Sequence, residues 1–297
     1  MNRRAWGAFI ALGIIWGLPY FFIRVAVAQV SPLLLAWGRL TLAALVVLPF
    51  AWRAGVLPAL RAHRGPILAF ALVEFAIPFT AISFSEQWIP SSLAGIMVAT
   101  VPLLIALLSR FVGLHQPLGP WRSLGLVLGL AGVVCLLGWG AITGTHAWLG
   151  VALMVIPTLG YALGPLIVER YFRDLDSLGP IAASIAVASL ALTGPALLTW
   201  PQRLPAMRIL VAIGVLGVVC TAAATLLMFY LVKVIGAARA SIVTYINPAV
   251  ATLLGLGILH ERLGAGGLAG FVLILIGSWL AARAPAPARR VIPSTAA

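Results

Sequence analysis

Acidic side chains are scarce in this chain. Six Asp and Glu stand among 297 residues, against nineteen Lys and Arg, and charged residues make up 8%. Soluble domains carry about 25%, so an ordinary soluble globule is excluded. Lysine is scarcer still: Lys233 is the only one. A phosphate-binding Walker loop has no lysine to use, and neither G-x-S-x-G nor H-E-x-x-H occurs. These absences argue against ATP-driven pumping by this chain alone and leave no catalytic constellation; a protein that is not an enzyme is expected. Two cysteines, Cys135 and Cys220, fall inside apolar runs and give neither a disulfide framework nor metal-ligand spacing. The histidines (His63, His115, His146, His260) are not paired at i, i+4. No metal and no cofactor is expected.

What the chain has instead is long apolar runs. Hydrophobic residues are 63% of the total and the mean hydropathy is +1.13. A hydrocarbon core of about 30 Å needs about 20 helical residues per crossing. The runs fall at about 6–28, 33–52, 66–85, 91–110, 121–139, 148–168, 178–199, 207–232, 239–259 and 264–283. Because the runs are continuous rather than alternating, a transmembrane β-barrel is excluded. The fold class expected is all-α integral membrane, with ten transmembrane helices. The first run is too long for a signal-peptide core, so it reads as the first span. The Pro-rich polar tail, 284–297, is expected to be disordered in the cytoplasm, with Arg289 and Arg290 near anionic lipid.

The second half repeats the first. His115-Gln116-Pro117-Leu118-Gly119 and His260-Glu261-Arg262-Leu263-Gly264 both read H-x-x-L-G. Gly125 and Gly132 then match Gly270 and Gly277, and Pro102 matches Pro248. With about five spans per copy, the second copy must enter the membrane inverted, the arrangement of secondary transporters with a shared midplane site. The expected units are a first five-helix repeat, 1–140, and a second, inverted repeat, 141–283. Counting basic residues with the N-terminus inside puts fourteen of the nineteen Lys and Arg on the cytoplasmic side. Both termini are therefore expected in the cytoplasm. The same rule accounts for the net charge of +13 without a nucleic-acid partner.

Trp6, Trp52, Trp88, Trp121, Trp139, Trp148 and Trp200 lie at span ends, as interfacial anchors do. Trp16, Tyr20, Tyr161, Tyr230 and Tyr245 lie inside spans, where a hydroxyl needs a partner or water. Pro19, Pro102, Pro165 and Pro248 occupy equivalent spans of the two copies, with Pro78 and Pro157 in addition. A mid-helix proline frees a carbonyl that must be buried or face water, so these helices are expected to kink around a cavity and gate it; simple kinking is the alternative. Thr100 and Asn247 flank the matched prolines. They suit either a polar ligand or a helix-to-helix hydrogen bond. Glu74 is the acidic residue deepest in a span. A charge there must pair, face water or be protonated. It suits a substrate ammonium or a coupling proton; the plain alternative is a protonated carboxyl bonded to a neighbouring helix. Arg39 is a candidate counter-charge, or snorkels to the interface. Gly125-x-x-x-Gly129, Gly266-x-x-x-Gly270, Gly13-x-x-x-Gly17 and Gly160-x-x-x-Gly164 read as close-packing faces, within the chain or in a homodimer; hinging of the gating helices is the alternative.

Trp16-Gly17, Trp37-Gly38-Arg39-Leu40 and the stretch from Gly236 to Leu263, with Tyr245-Ile246-Asn247-Pro248 and His260-Glu261-Arg262-Leu263, carry a resemblance. The chain resembles the ten-helix EamA-type branch of the drug/metabolite transporter superfamily along nearly its whole length. In the first copy Val101 and Gln116 stand where the second has Asn247 and Glu261, so the motif is degenerate there. The resemblance implies an alternating-access carrier exporting amino acids or similar small metabolites from a bacterial cell, across the inner membrane. The residues add a candidate substrate site of Trp16, Tyr20, Glu74, Thr100, Tyr161, Tyr245 and Asn247. A multidrug or organic-cation carrier of the same fold is the rival. An intramembrane lipid-processing enzyme, resting on Glu86 with Ser85 or Glu169 with Asp174, is a remote one. Expected partners are a small-molecule substrate, membrane lipid and, through Glu74, a proton.

Overall fold

The computed structural model describes residues 3–108, 119–138, 145–236 and 240–282. The first H-x-x-L-G copy (115–118), Trp139 and the tail 284–297 lie outside the described residues. The described chain is helical, with no strand. Lipid offers backbone groups no water, so each segment must satisfy its own hydrogen bonds. Ten helical elements follow: α1 Arg3–Ala26, α2 Pro32–Arg53, α3 Pro58–Ser85, α4 Ser91–Leu108, α5 Pro120–Gly138, α6 Ala147–Tyr171, α7 Leu178–Leu197, α8 Met207–Ile235, α9 Ser241–Gly257 and α10 Ala265–Ala282. By length and composition, seven of them (α1–α4 and α6–α8) suffice to cross a membrane; α5, α9 and α10 hold shorter apolar stretches.

Four helices are irregular, and each irregularity has a local cause or consequence. In α3 a π-helical turn, Ala71–Ala76, precedes Pro78. In α8 a longer one, Val215–Ala223, sits in an otherwise apolar helix. In α4 the helix breaks at Ala99 and Thr100, just before Pro102. In α9 a 3-10 stretch, Ser241–Tyr245, gives way to an α-helix starting at Asn247 and Pro248. Pro102 and Pro248 lack the N–H that would extend the helix backwards, so both breaks fall where the sequence places them. Pro19 and Pro165 lie inside continuous helices. Pro19 is buried, whereas Pro165 is exposed on the outside of α6.

Two seams fix the bundle. Between α2 and α7, Ser31 pairs with Thr199 at 2.6 Å, Trp37 donates to Thr193 at 3.0 Å and Thr41 pairs with Ser189 at 2.7 Å, in antiparallel register. Such bonds contribute about 0.6 kcal/mol each. Between α5 and α10 the glycines let backbones touch. A methyl on Gly132 would stand 2.8 Å from the Gly270 oxygen, and one on Gly277 would stand 2.6 Å from the Gly125 oxygen. The contacts are reciprocal: the matched pairs Gly125/Gly270 and Gly132/Gly277 each reach across to the other's partner, as the two sides of an isologous interface do. Gly13 and Gly17 of α1 similarly admit Ile246, Val250 and the Asn247 backbone of α9.

The bundle's outer surface is apolar, with Leu45, Leu190 and Leu253 each more than 60% exposed. Trp6, Trp52, Trp121, Trp148 and Trp200 are exposed near helix ends, where an interfacial belt places them.

Candidate functional site

Charged and phenolic side chains are gathered inside the bundle. Arg39 of α2, about 10 Å into its helix at 1.5 Å per residue, is buried at 6% exposure. Its Nε donates to Thr221 Oγ1 at 2.8 Å, and its guanidinium lies over the Phe79 ring, 3.7 Å from the centroid. Thr221 in turn donates to the Leu216 carbonyl at 2.8 Å, inside the π turn of α8. That turn therefore presents a hydroxyl oriented to receive arginine. Arg39 makes no ion pair among the described residues; the salt bridge there is Lys233 to Asp176 at 3.2 Å, at the opposite end of the bundle. An arginine inside a membrane costs about 3 kcal/mol on insertion scales. The hydroxyl and the ring offset only part of that cost.

Tyr20 and Tyr161 are within electrostatic reach of Arg39 and of each other. Tyr161 is also within reach of Glu74, and Tyr20 of Glu86. The group thus runs from Glu86 through Tyr20, Arg39 and Tyr161 to Glu74. Glu74 sits in the π turn of α3, and the Gly160-x-x-x-Gly164 face of α6 receives that turn. A methyl on Gly164 would collide with the Glu74 carboxyl, and one on Gly160 would collide with the Val73 carbonyl. Oε2 of Glu74 is buried without a hydrogen-bond partner.

The remaining candidate residues fall in an adjoining group on α1, α4, α9 and α10. Trp16 packs against the cluster that contains Leu12, Ala224 and Val243. Thr100 donates to the Met97 carbonyl at 2.7 Å, within its own helix break. Tyr245 donates to the Ser278 carbonyl at 2.9 Å, and Ser278 Oγ donates to the Ala99 carbonyl at 2.7 Å. The carbonyl exposed by the α4 break is thus satisfied from α10, and the Tyr245 hydroxyl is engaged in the same chain. Asn247 is buried, with its Oδ1 unpartnered among the described residues. Tyr20 adjoins this group through Gly95 and Ala251.

From sequence, Glu86 is named only beside Ser85, in the remote enzyme alternative, and not among the transport residues. It is the first residue beyond α3, yet it is fully buried, with both carboxyl oxygens unpartnered. Burial holds its carboxyl well above the usual carboxylate range; Glu261 adds to the effect, and Arg24 and Arg39 oppose it. Glu261 itself caps α4: Oε1 accepts from the Ser91 N–H at 2.7 Å and the Ser91 hydroxyl at 2.8 Å, and Oε2 accepts from the Ser92 N–H at 2.9 Å. Thr221 and Phe79 were also missed; an isolated Thr or Phe in an apolar run carries no signal of its own.

Pockets open at both ends of the bundle. One, of about 350 Å³, lies between Arg24, Val27, Ala28 and Gln87; the other, of about 310 Å³, is lined by His63, Glu169 and Arg173 among others. Neither is lined by Tyr20, Arg39, Glu74 or Tyr161, so neither pocket opens onto the inner polar group. Among the described residues no group of His, Cys, Asp and Glu is arranged to hold a metal ion.

A polytopic helical bundle with an apolar surface and charged and phenolic side chains held inside it is the build of a membrane-embedded protein. The chain matches the EamA-like transporter family twice, over residues 5–138 and 148–283, and belongs to that family. It is 32% identical over 266 residues to YedA of Escherichia coli (strain K12), named as an uncharacterized inner membrane transporter, covering 86% of this chain and 83% of that one. It is 25% identical over 273 residues to YvbV of Bacillus subtilis (strain 168), named as an uncharacterized transporter, covering 89% and 87%. A solved crystal structure 19% identical in sequence superposes with a TM-score of 0.67 over 95% of this chain and 97% of its own. That likeness concerns the fold alone. The chain is a multi-pass inner membrane transporter.

Proposed function

We propose that this transporter is a secondary carrier that exports amino acids or similar small metabolites across the inner membrane by alternating access. In this reading all ten helices cross the bilayer as two inverted five-helix repeats, 1–140 and 141–283, with both termini in the cytoplasm. Two family matches of nearly equal length support the repeats, and so do the reciprocal glycine contacts of α5 and α10. The observation that carries the reading is Arg39: a buried guanidinium without an acidic partner among the described residues, within electrostatic reach of Tyr20 and Tyr161. It offers a carboxylate the compensation the protein withholds, while the unpartnered Glu74 oxygen offers the same to an ammonium.

Counterflow in proteoliposomes tests this with labelled amino acids set against organic cations. Exchange of amino acids is expected, and Glu74→Gln is expected to reduce it about tenfold or more, since the neutral amide keeps the shape and removes the charge. Unchanged transport and unchanged pH dependence in Glu74→Gln would remove that residue from the mechanism. Exchange of organic cations alone would favour the rival substrate class.

A further inference from the structure

The end of the bundle that carries Glu86 and Glu261 is closed by three side chains from separate parts of the chain. Glu261 spans from the α9–α10 connection to the first turn of α4, with three charge-assisted hydrogen bonds. A carboxylate there also meets the positive end of the helix. His260, at φ 54°, turns the backbone into this position, and the Glu261 N–H donates to the Gly255 carbonyl at 2.9 Å. Gly255 leaves room for the carboxylate. Arg24 of α1 donates to the Glu86 carbonyl, and Ser85 donates to the Gly150 carbonyl of α6 at 2.8 Å. Beneath this closure lies the Glu86 carboxyl, with neither oxygen partnered.

We propose that Glu86 is a proton-binding site controlling a seal that Glu261 closes across the start of α4. The groups bearing on Glu86 are Arg24 and Tyr20 from α1, Arg39 from α2 and Glu261 from the α9–α10 connection. His260 and Arg262 flank Glu261. His146, at the start of α6, has its ring 6.4 Å from that of Trp88. With Glu86 neutral, one carboxylate occupies the closure and the α4 N–H groups satisfy it. With Glu86 ionised, two carboxylates face one low-dielectric patch, and separation hydrates both. The closed form holds the Glu86 proton more tightly than an open, hydrated form would. The contribution of Glu86 to closure is therefore complete where its carboxyl is protonated and is lost as pH rises through its raised range.

The proposal rests on the reading that this end faces the cell exterior, and the test separates the two. In full-length protein carrying Cys135→Ser and Cys220→Ser, a reporter thiol is introduced as Ser92→Cys, which is fully buried. A second is introduced separately as Leu204→Cys, 92% exposed in the connection after α7 at the same end. Both are labelled in intact cells with a membrane-impermeant maleimide, and the Ser92→Cys rate is divided by the Leu204→Cys rate. Labelling of Leu204→Cys in intact cells upholds the sidedness; labelling only in inverted vesicles rejects it, and the ratio is then measured there. Glu261→Ala is expected to raise the ratio about tenfold or more. Between about pH 5.5 and about pH 8.5 the ratio is expected to rise in the parent and stay flat and low in Glu86→Gln, which mimics the protonated acid. A ratio unaffected by Glu261→Ala overturns the seal. A parent ratio that does not change with pH, or a change that persists in Glu86→Gln, overturns the proton site.

Discussion

Arg39 illustrates how a single charge is kept inside an apolar bundle. Two features act together: the Thr221 hydroxyl and the Phe79 face. Thr221→Val preserves the shape and removes the acceptor, leaving the buried Nε–H without its partner. The expected cost is about 1–3 kcal/mol, read as a lower melting temperature in detergent. Arg39→Lys loses both the Nε contact and the planar stacking on Phe79, and is expected to lower both stability and counterflow. The sequence marked Arg39 and Glu74 because charges are rare in its spans. Glu86 was marked only beside Ser85, in the remote enzyme reading and not among the transport residues, because one position beyond a helix end is usually solvated. What buries it is the packing of α1, α6 and the α9–α10 connection over that corner, which no local pattern encodes.

Among the elements, the breaks in α4 and α9 were legible from Pro102 and Pro248, but the same argument applied to Pro19 and Pro165 did not hold, since both lie inside continuous helices. The π turns of α3 and α8 were not legible, since Ala71–Ala76 and Val215–Ala223 contain no residue that forbids a regular helix. Tertiary contacts select them: one lets Glu74 and Val73 meet the glycines of α6, and the other points Thr221 at Arg39. Gly164→Ala is expected to displace the Glu74 carboxyl and reduce transport more than it reduces stability. Gly132→Ala, forced against backbone on α10, is expected to cost about 1–3 kcal/mol. Gly7→Ala is the control: a methyl there meets nothing within 4 Å and is expected to change stability by less than about 0.5 kcal/mol. Chemical or thermal melts of the three purified variants check the order.

For the whole molecule, the charge asymmetry of the connections gives a direct expectation. A fluorescent protein fused to either terminus should fold and fluoresce, and a protease added outside intact cells should remove neither; cleavage of both would reverse the orientation, and cleavage of one alone would overturn the even number of crossings. The class of fold could be read from hydropathy and the repeat, because bilayer thickness and backbone chemistry leave few options. The meeting of helices from both halves at one polar interior depended on packing. The link from Tyr245 through Ser278 to Ala99 has a mechanical result. The two interrupted helices, one from each half, are strapped to a common strut in α10. Bending at one hinge is therefore expected to load the other, and removing the Ser278 hydroxyl to leave each free to swing alone.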